Sequence, residues 1–330
     1  MALSTGGKGR FIAGSCFSYR PAGYIAFMQL SDSAQSFARF LPVNSNLNTA
    51  QPTLEEKYQA LRGHLRLLGS VVIGFSGGAD SALLAKVAYD VLGENALAVI
   101  ALSESYARRE KDDALALAAT MGIPVLTVEA KELQDENYAS NPENRCYYCK
   151  TELFTHLSRV ASERGIRWIA YGANHDDLGD YRPGQVAASE FGVLAPLLEA
   201  GLTKAEIRHL SKSLGLATWD KPALACLSSR FPYGTRITAE LLSRLDDAED
   251  YLRHDLGFRQ IRVRHHDTIA RLEVDPAEMN RILDPGLRGQ ISDKLKTLGY
   301  TYVAVELGGY KSGSLNANLG NASLGVSSGH

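Results

Sequence analysis

Apolar and polar positions alternate along the middle of this chain in two different rhythms. Short apolar runs at 71–75, 96–102, 125–128 and 168–172 read as strands, and residues 81–92 and 110–121 between them repeat their apolar positions at helical spacing. In 81–92, Leu83, Leu84, Val87, Ala88 and Val91 fall on one face. Strands alternating with helices predict an α/β domain built on a doubly wound parallel sheet, with ligands at the carboxyl ends of the strands.

Beyond Trp219 the rhythm changes. Residues 239–256 and 276–298 are patterned as helices, 260–265 and 269–274 as paired strands, and 302–306 as a last strand. That order predicts a smaller C-terminal α+β domain. Residues 1–48 lack sustained periodicity, and up to Asp32 they hold Lys8, Arg10 and Arg20 without an acid. A targeting segment fits this; the preferred reading is an extension upstream of a start at Met28. Residues 313–330 are rich in Gly, Ser and Asn, a composition that cannot bury enough surface to offset chain entropy. The expected organisation is a disordered extension at 1–48, the α/β domain at 49–218, the α+β domain at 219–315 and a flexible tail at 316–330.

A chain of 330 residues exceeds what one hydrophobic core usually organises, which agrees with two domains. A 45% hydrophobic and 22% charged composition excludes a coiled coil, a collagen or a disordered chain. Lys and Arg number 35 against 37 Asp and Glu, so no global positive field attracts nucleic acid, and no nucleic-acid partner is expected. A membrane helix needs about 20 consecutive apolar residues. Ser76, Asp80, Lys86 and Asp90 interrupt even the stretch 71–93, so no membrane partner is expected either. Four cysteines cannot make a dense disulfide framework, and two stand as Cys146-x-x-Cys149, a metal or redox pair suited to a reducing compartment. A cytoplasmic location follows.

The first predicted strand runs into Ser76-Gly77-Gly78-Ala79-Asp80-Ser81 and then into a helix. Two glycines let the backbone approach an anion, amides point at it from a helix N-terminus, and the serines add hydroxyl donors. This phosphate cradle lacks the lysine of a Walker loop and is not G-x-G-x-x-G, so neither of those nucleotide folds fits. The six residues resemble the SGGxDS signature of the PP-loop ATP pyrophosphatases. That resemblance implies cleavage of ATP between the α- and β-phosphates, adenylation of a substrate oxygen, and Mg²⁺ on the pyrophosphate. Asp80 inside an anion site makes sense only with a cation present. Ser76, Gly77, Gly78, Asp80 and Ser81 are the expected ATP contacts. Ser103, after the second strand, stands where the family contacts the adenosine part; a plain turn serine is the alternative.

Four further stretches narrow the resemblance. They are Asn144-Arg-Cys-Tyr-Tyr-Cys-Lys150, Gly172-Ala-Asn-His-Asp-Asp-Leu-Gly-Asp-Tyr-Arg-Pro183, Lys221-Pro-Ala-Leu-Ala-Cys-Leu-Ser-Ser-Arg-Phe-Pro-Tyr-Gly234 and Tyr310-Lys-Ser-Gly-Ser314. In order, over about residues 50–315, the chain resembles the LarE family, ATP-dependent sulfur transferases that make the nickel-pincer nucleotide cofactor of lactate racemase. The resemblance implies a small-molecule nucleotide substrate, pyridinium-3,5-biscarboxylic acid mononucleotide, whose carboxylates are adenylated and then converted to thiocarboxylates. Because relatives form hexamers, a homo-oligomer is expected.

The residues suit that chemistry. A carboxylate is a poor electrophile; attached AMP gives it a good leaving group, and a sulfur nucleophile must then stand within reach. Cys226 lies on a loop at the domain junction, with Arg230 and Lys221 expected nearby to favour thiolate. Arg262 and Arg264 alternate with Ile261 and Val263, so on a strand both arginines share a face, and their forked guanidiniums suit a phosphate monoester. The resemblance assigns this position to the substrate phosphate. It adds an arginine from the last motif, where this chain has Lys311 with the charge but without the fork. It also suggests a divalent cation at acids of this domain, Glu249, Asp250 and Glu273; ion pairs with Arg262 or Arg264 are the alternative.

Family members with a single cysteine give up its sulfur. This chain has two more, and three-cysteine relatives imply another route: a [4Fe-4S] cluster on Cys146, Cys149 and Cys226 with one iron open to sulfide. Cys16 should be dispensable. The sacrificial route through Cys226 stays open. Other classes are disfavoured: a transfer-RNA thiolase needs a basic surface, an amidating synthetase of the NAD or GMP kind has no need for these cysteines, and an ATP-binding regulator with structural zinc lacks a fourth cysteine in the folded part.

Overall fold

Three consecutive β-branched residues, Val71, Val72 and Ile73, form β1 (Val71–Gly74), and all three are fully buried. In the computed structural model, which describes residues 51–179, 183–222, 225–311 and 313–315, β1 is a central strand. It pairs in parallel with β2 (Ala96–Leu102) on one side and β4 (Trp168–Tyr171) on the other, and β2 pairs with β3 (Val125–Glu129). The order β3-β2-β1-β4 reverses direction between β1 and β4, which opens a crevice at their carboxyl ends.

The alternation of side chains in β1 divides two cores. Val71 and Ile73 face Leu61 and Leu65 of the helix Leu54–Leu68, Leu83 and Leu84 of the helix Ala79–Leu92, and Ala114 of the helix Arg108–Met121. Val72 faces the other way, onto Phe154, Leu157 and Val160 of the helix Arg145–Glu163. Helices therefore cover both faces of a parallel sheet, as the pattern predicts.

A second sheet follows. β5 (Ile261–His266) and β6 (Ile269–Val274) are antiparallel, and β7 (Tyr302–Val305) joins β6 in parallel. Ile261, Val263, Leu272 and Val274 turn into a core with Phe231, Leu242, Leu245, Phe258 and Leu295. Two helical expectations need correction here. The stretch 276–298 is not one helix: a turn at Pro276–Glu278 and a short helix Met279–Ile282 precede the helix Pro285–Thr297. Proline disfavours helical geometry in the residue before it, and the Asp284 side chain instead caps the new helix through Gly286 and Leu287. The stretch 239–256 is α-helical only over Ala239–Asp250 and widens into a π-helical turn at Tyr251–Asp255.

Backbone bonds and ion pairs stitch the two sheets' surroundings together from Pro52 onward. Leu227 N–H donates to Ser105 O at 2.9 Å, Ile237 N–H to Ala139 O at 2.8 Å, and Arg108 Nε meets Asp246 Oδ2 at 2.6 Å. No helix among the described residues is long and apolar enough to cross a membrane. The expected extension at 1–48, with Cys16 and Met28, and the tail at 316–330 lie outside the described residues, as do positions 180–182, 223–224 and 312 within the quoted motifs.

Candidate active site

The PP-loop stands at the end of β1, at the crevice. Gly78 caps the helix Ala79–Leu92 without a side-chain bond, which leaves the first amides open to a ligand. Ser81 Oγ accepts from Ser76 N–H at 3.2 Å and lies 3.2 Å from Ser76 Oγ, so the two serines hold the turn. Gly77 has φ +63°, and a Cβ there would stand 2.7 Å from Ala114 Cβ. Gly172, just past β4, approaches the loop so closely that a Cβ would meet Ser81 N at 2.8 Å. Both glycines are required by space.

Asp80 meets a cation that the sequence reading missed. Lys204 Nζ lies 2.6 Å from Asp80 Oδ2, while Asp80 Oδ1 is buried with no partner. An orphaned carboxylate oxygen inside an anion cradle fits a Mg²⁺ ligand that is completed when the nucleotide brings its metal. Lys204 opens the helix Lys204–Ser213, where a cation opposes the helix dipole. A lysine in the first turn after the Thr203 and Glu206 capping box was the signal in the sequence.

Ser103 and Ser105 are turned to the buried Glu132. Both hydroxyls donate to Glu132 Oε1, at 3.0 and 2.7 Å, and burial raises the Glu132 carboxyl above its ordinary range. Lys221 likewise has a carboxylate partner, Glu110 Oε2 at 2.9 Å.

The three cysteines of the folded part are free thiols. Cys146 and Cys149 lie in the first turns of the helix Arg145–Glu163, and Cys226 immediately precedes the turn Leu227–Arg230. Cys146 and Cys226 are exposed and Cys149 half-buried; desolvation by its neighbours and then the charge of Cys226 push the Cys146 thiol up, while burial, Glu132 and Cys226 push Cys149 up. The donor set fits a thiolate-bound iron cluster in chemical type, because an iron centre would favour the thiolates that burial disfavours. Among the described residues no three His, Cys, Asp or Glu side chains form a preassembled metal group, so the trio is coupled rather than caged.

Directly after Cys226 the chain enters a buried charge network. Arg230, 2% exposed, forms a fork with Glu249 through Nε at 2.8 Å and Nη2 at 2.7 Å, and its Nη1 donates to Cys226 O at 3.0 Å. Arg253 also reaches Glu249, at 2.7 Å. Burial opposes ionisation of Glu249, but Arg230 and then Arg253 overcome it and hold the carboxyl at about 2. Arg264 donates to Ser229 O at 2.7 Å, Glu273 Oε2 at 2.8 Å and Ser314 Oγ at 2.8 Å, yet its Nε is buried without a partner. Arg262 stands over the Tyr310 ring at 5.3 Å, and burial together with Arg230 pushes it down to about 10. It stays protonated at neutral pH, and among the described residues Arg230, Arg253, Arg262, Arg264 and Arg271 share the strip with the carboxylates of Glu249, Glu273 and Glu306.

The acids of this domain are thus distributed among arginines. Glu273 pairs with Arg264 and Arg271, Glu249 with Arg230 and Arg253, and Asp250 with Arg109 and His254 on another side of the helix. Lys311 is exposed beside Glu306, and its neighbours Tyr310 and Ser314 contact the arginine strip.

A glycine-bearing phosphate cradle on a parallel sheet, with a metal-ready aspartate, defines a PP-loop ATP pyrophosphatase. Residues 54–153 match the NAD synthase family model. The chain is 39% identical to the pyridinium-3,5-bisthiocarboxylic acid mononucleotide synthase of Lactiplantibacillus plantarum, over 82% of this chain and 98% of that one. It is 46% identical to an uncharacterized protein of Synechocystis over 81% of this chain and 99% of that one, and 26% identical to an uncharacterized protein of Methanocaldococcus jannaschii over 73% and 91%. The chain belongs to the LarE family of ATP-dependent sulfur transferases.

Proposed function

We propose that this protein adenylates the carboxylates of pyridinium-3,5-biscarboxylic acid mononucleotide and converts them to thiocarboxylates, a step of nickel-pincer nucleotide cofactor synthesis. One observation carries the reading: the segment around Cys226 spans both halves of the chemistry. Leu227 N–H is bonded to Ser105 O beyond β2, and two residues later Ser229 O accepts from Arg264 of the strip. Cys226 therefore stands between the turn after β2, whose Tyr106 hydroxyl donates to Ser76 O of the phosphate loop at 3.1 Å, and a cationic face with an unpartnered guanidinium donor.

The reaction follows from these positions. The loop amides and Lys204 orient the polyphosphate, and Asp80 would hold the Mg²⁺ whose charge would screen the leaving pyrophosphate. A substrate carboxylate oxygen attacks the α-phosphorus, the bond to the β-phosphate breaks, and an acyl adenylate forms. Hydrosulfide then attacks the acyl carbon, AMP leaves, and one proton is released. Arg262 and Arg264 hold the ribose phosphate, so binding energy far from the reacting carbon orients it. Glu249 and Glu273 are assigned to charge balance within the strip.

Cys146, Cys149 and Cys226 would hold a [4Fe-4S] cluster whose open iron supplies the sulfide. Free thiols call for a reducing, cytoplasmic setting. The homo-oligomer belongs to the same reading: the edge strand β7 leaves Tyr302 64% exposed, and Leu307 beyond it is 85% exposed. The test is pyrophosphate release from ATP and Mg²⁺, dependent on the dicarboxylated pyridinium mononucleotide. Orthophosphate in its place, or release indifferent to that nucleotide, would overturn the assignment.

A further inference from the structure

Arg145 is 3% exposed, in the first turn of a helix whose dipole opposes its charge. A buried guanidinium normally has a carboxylate beside it, since an uncompensated charge in the interior costs several kcal/mol. Arg145 has carbonyl partners instead: Nη1 donates to Asn141 Oδ1 and, at 2.9 Å, to Ser228 O. Among the described residues no carboxylate forms an ion pair with it. Ser228, its second partner, stands two residues after Cys226.

The backbone is bent to keep this arrangement. Asn141 is fully buried and holds φ +57°, a left-handed conformation that costs a non-glycine residue about 1 kcal/mol or more. That conformation lets one side chain serve two neighbours, with Oδ1 on Arg145 and Nδ2 on Pro232 O at 2.7 Å. Tyr138 Oη meets Ser228 Oγ at 2.6 Å, and Gly234 N–H donates to Asn141 O at 2.8 Å. Residues 138–145 thereby grip the segment that begins at Cys226.

From this we infer that Arg145 is a positioning residue for sulfur transfer: it clamps the Cys226 segment onto the Cys146 and Cys149 helix and fixes a buried positive charge beside that segment. The inference deepens the sulfur-transferase reading and rests on it, but it concerns the protein's own thiols and holds with or without iron. A fixed cation beside a thiol makes that thiol prefer an anionic reagent over a neutral one of the same shape.

The experiment is alkylation of the metal-free protein at one pH, comparing iodoacetate with iodoacetamide and mapping Cys146 and Cys226 by peptide mass. The uncharged thiol N-acetylcysteinamide is the reference. The expected iodoacetate-to-iodoacetamide rate ratio at Cys226 is at least about threefold above the reference. Arg145→Gln should lower it clearly, the remainder coming from Arg230 beside Cys226, and Arg145→Lys should keep it. A wild-type ratio equal to the reference, an unchanged ratio in Arg145→Gln, or equal loss in both variants would overturn the proposal. Should Arg145→Gln fail to fold, the wild-type comparison and Arg145→Lys still decide. Iron uptake by wild-type protein is measured separately, so a failure of the cluster reading cannot be mistaken for a failure of this one.

Discussion

Lys204 Nζ stands 2.6 Å from Asp80 Oδ2, so the start of one helix closes on the start of another across the phosphate cradle. Without nucleotide the pair neutralises itself; in the proposed reaction Lys204 serves a phosphate and Asp80 a metal. Lys204→Ala and Asp80→Asn should each lower kcat for pyrophosphate release by about 10²-fold or more, the scale of losing one preorganised electrostatic contact. Steady-state assays with saturating substrate test this, and unchanged kinetics in Lys204→Ala would remove that lysine from the site.

The charge of the arginine strip should be visible as substrate affinity. Arg262→Ala is expected to raise KM for the mononucleotide by a factor corresponding to about 2–3 kcal/mol while leaving KM for ATP nearly constant. An equal effect on both constants would assign the strip to ATP or to the fold.

Gly172 separates local sterics from chemistry. A methyl group there must push on Ser81 N, 2.8 Å away, and backbone cannot yield as a flexible side chain would. Gly172→Ala should weaken ATP binding at least about tenfold through the displaced loop, with little change in substrate phosphate affinity. Calorimetric titration of each ligand distinguishes the two.

Glu249 links the site to acid stability. Its carboxyl is held at about 2 against an ordinary 4.5, a folded-state value depressed by Arg230 and Arg253 despite burial. A depressed carboxylate contributes stability above its unfolded pKa and loses it as pH falls toward the folded value, here between about pH 5 and 2. Glu249→Gln should cost about 3–5 kcal/mol at neutral pH, because it leaves buried guanidiniums unpaired. The gap to wild type should narrow by pH 3 in urea unfolding; a gap independent of pH would contradict the assignment.

Anaerobic reconstitution with iron and sulfide decides the source of sulfur. Wild-type protein should take up about four irons per chain, and Cys149→Ser should lose them together with multiple turnover. Turnover without iron, with Cys226 lighter by the mass of H₂S, would establish the sacrificial route instead.

Much of this architecture was legible because strands and loop chemistry leave local marks. The run Val71–Ile73 and the six residues from Ser76 to Ser81 state a strand and a phosphate turn within a dozen positions. The arginine face of β5 was legible from alternation alone. Pairings across the chain were not: that Glu249 answers Arg230, that Ser103 turns to Glu132, and that Lys221 goes to Glu110 depend on tertiary packing. The two cations at helix starts, Arg145 and Lys204, did leave a mark, since each opposes the local dipole, but single charges of this kind are easily passed over as surface residues.

The NAD synthase match ends at residue 153, inside the helix Arg145–Glu163 and only a turn beyond Cys149. That helix is a seam between two trades. One side of it prepares an activated acyl group in the manner of a general workshop, indifferent to what will displace AMP. Cys146 and Cys149 fall inside the matched stretch and Cys226 lies beyond it, so in the proposed reaction the sulfur chemistry draws on both sides of that boundary.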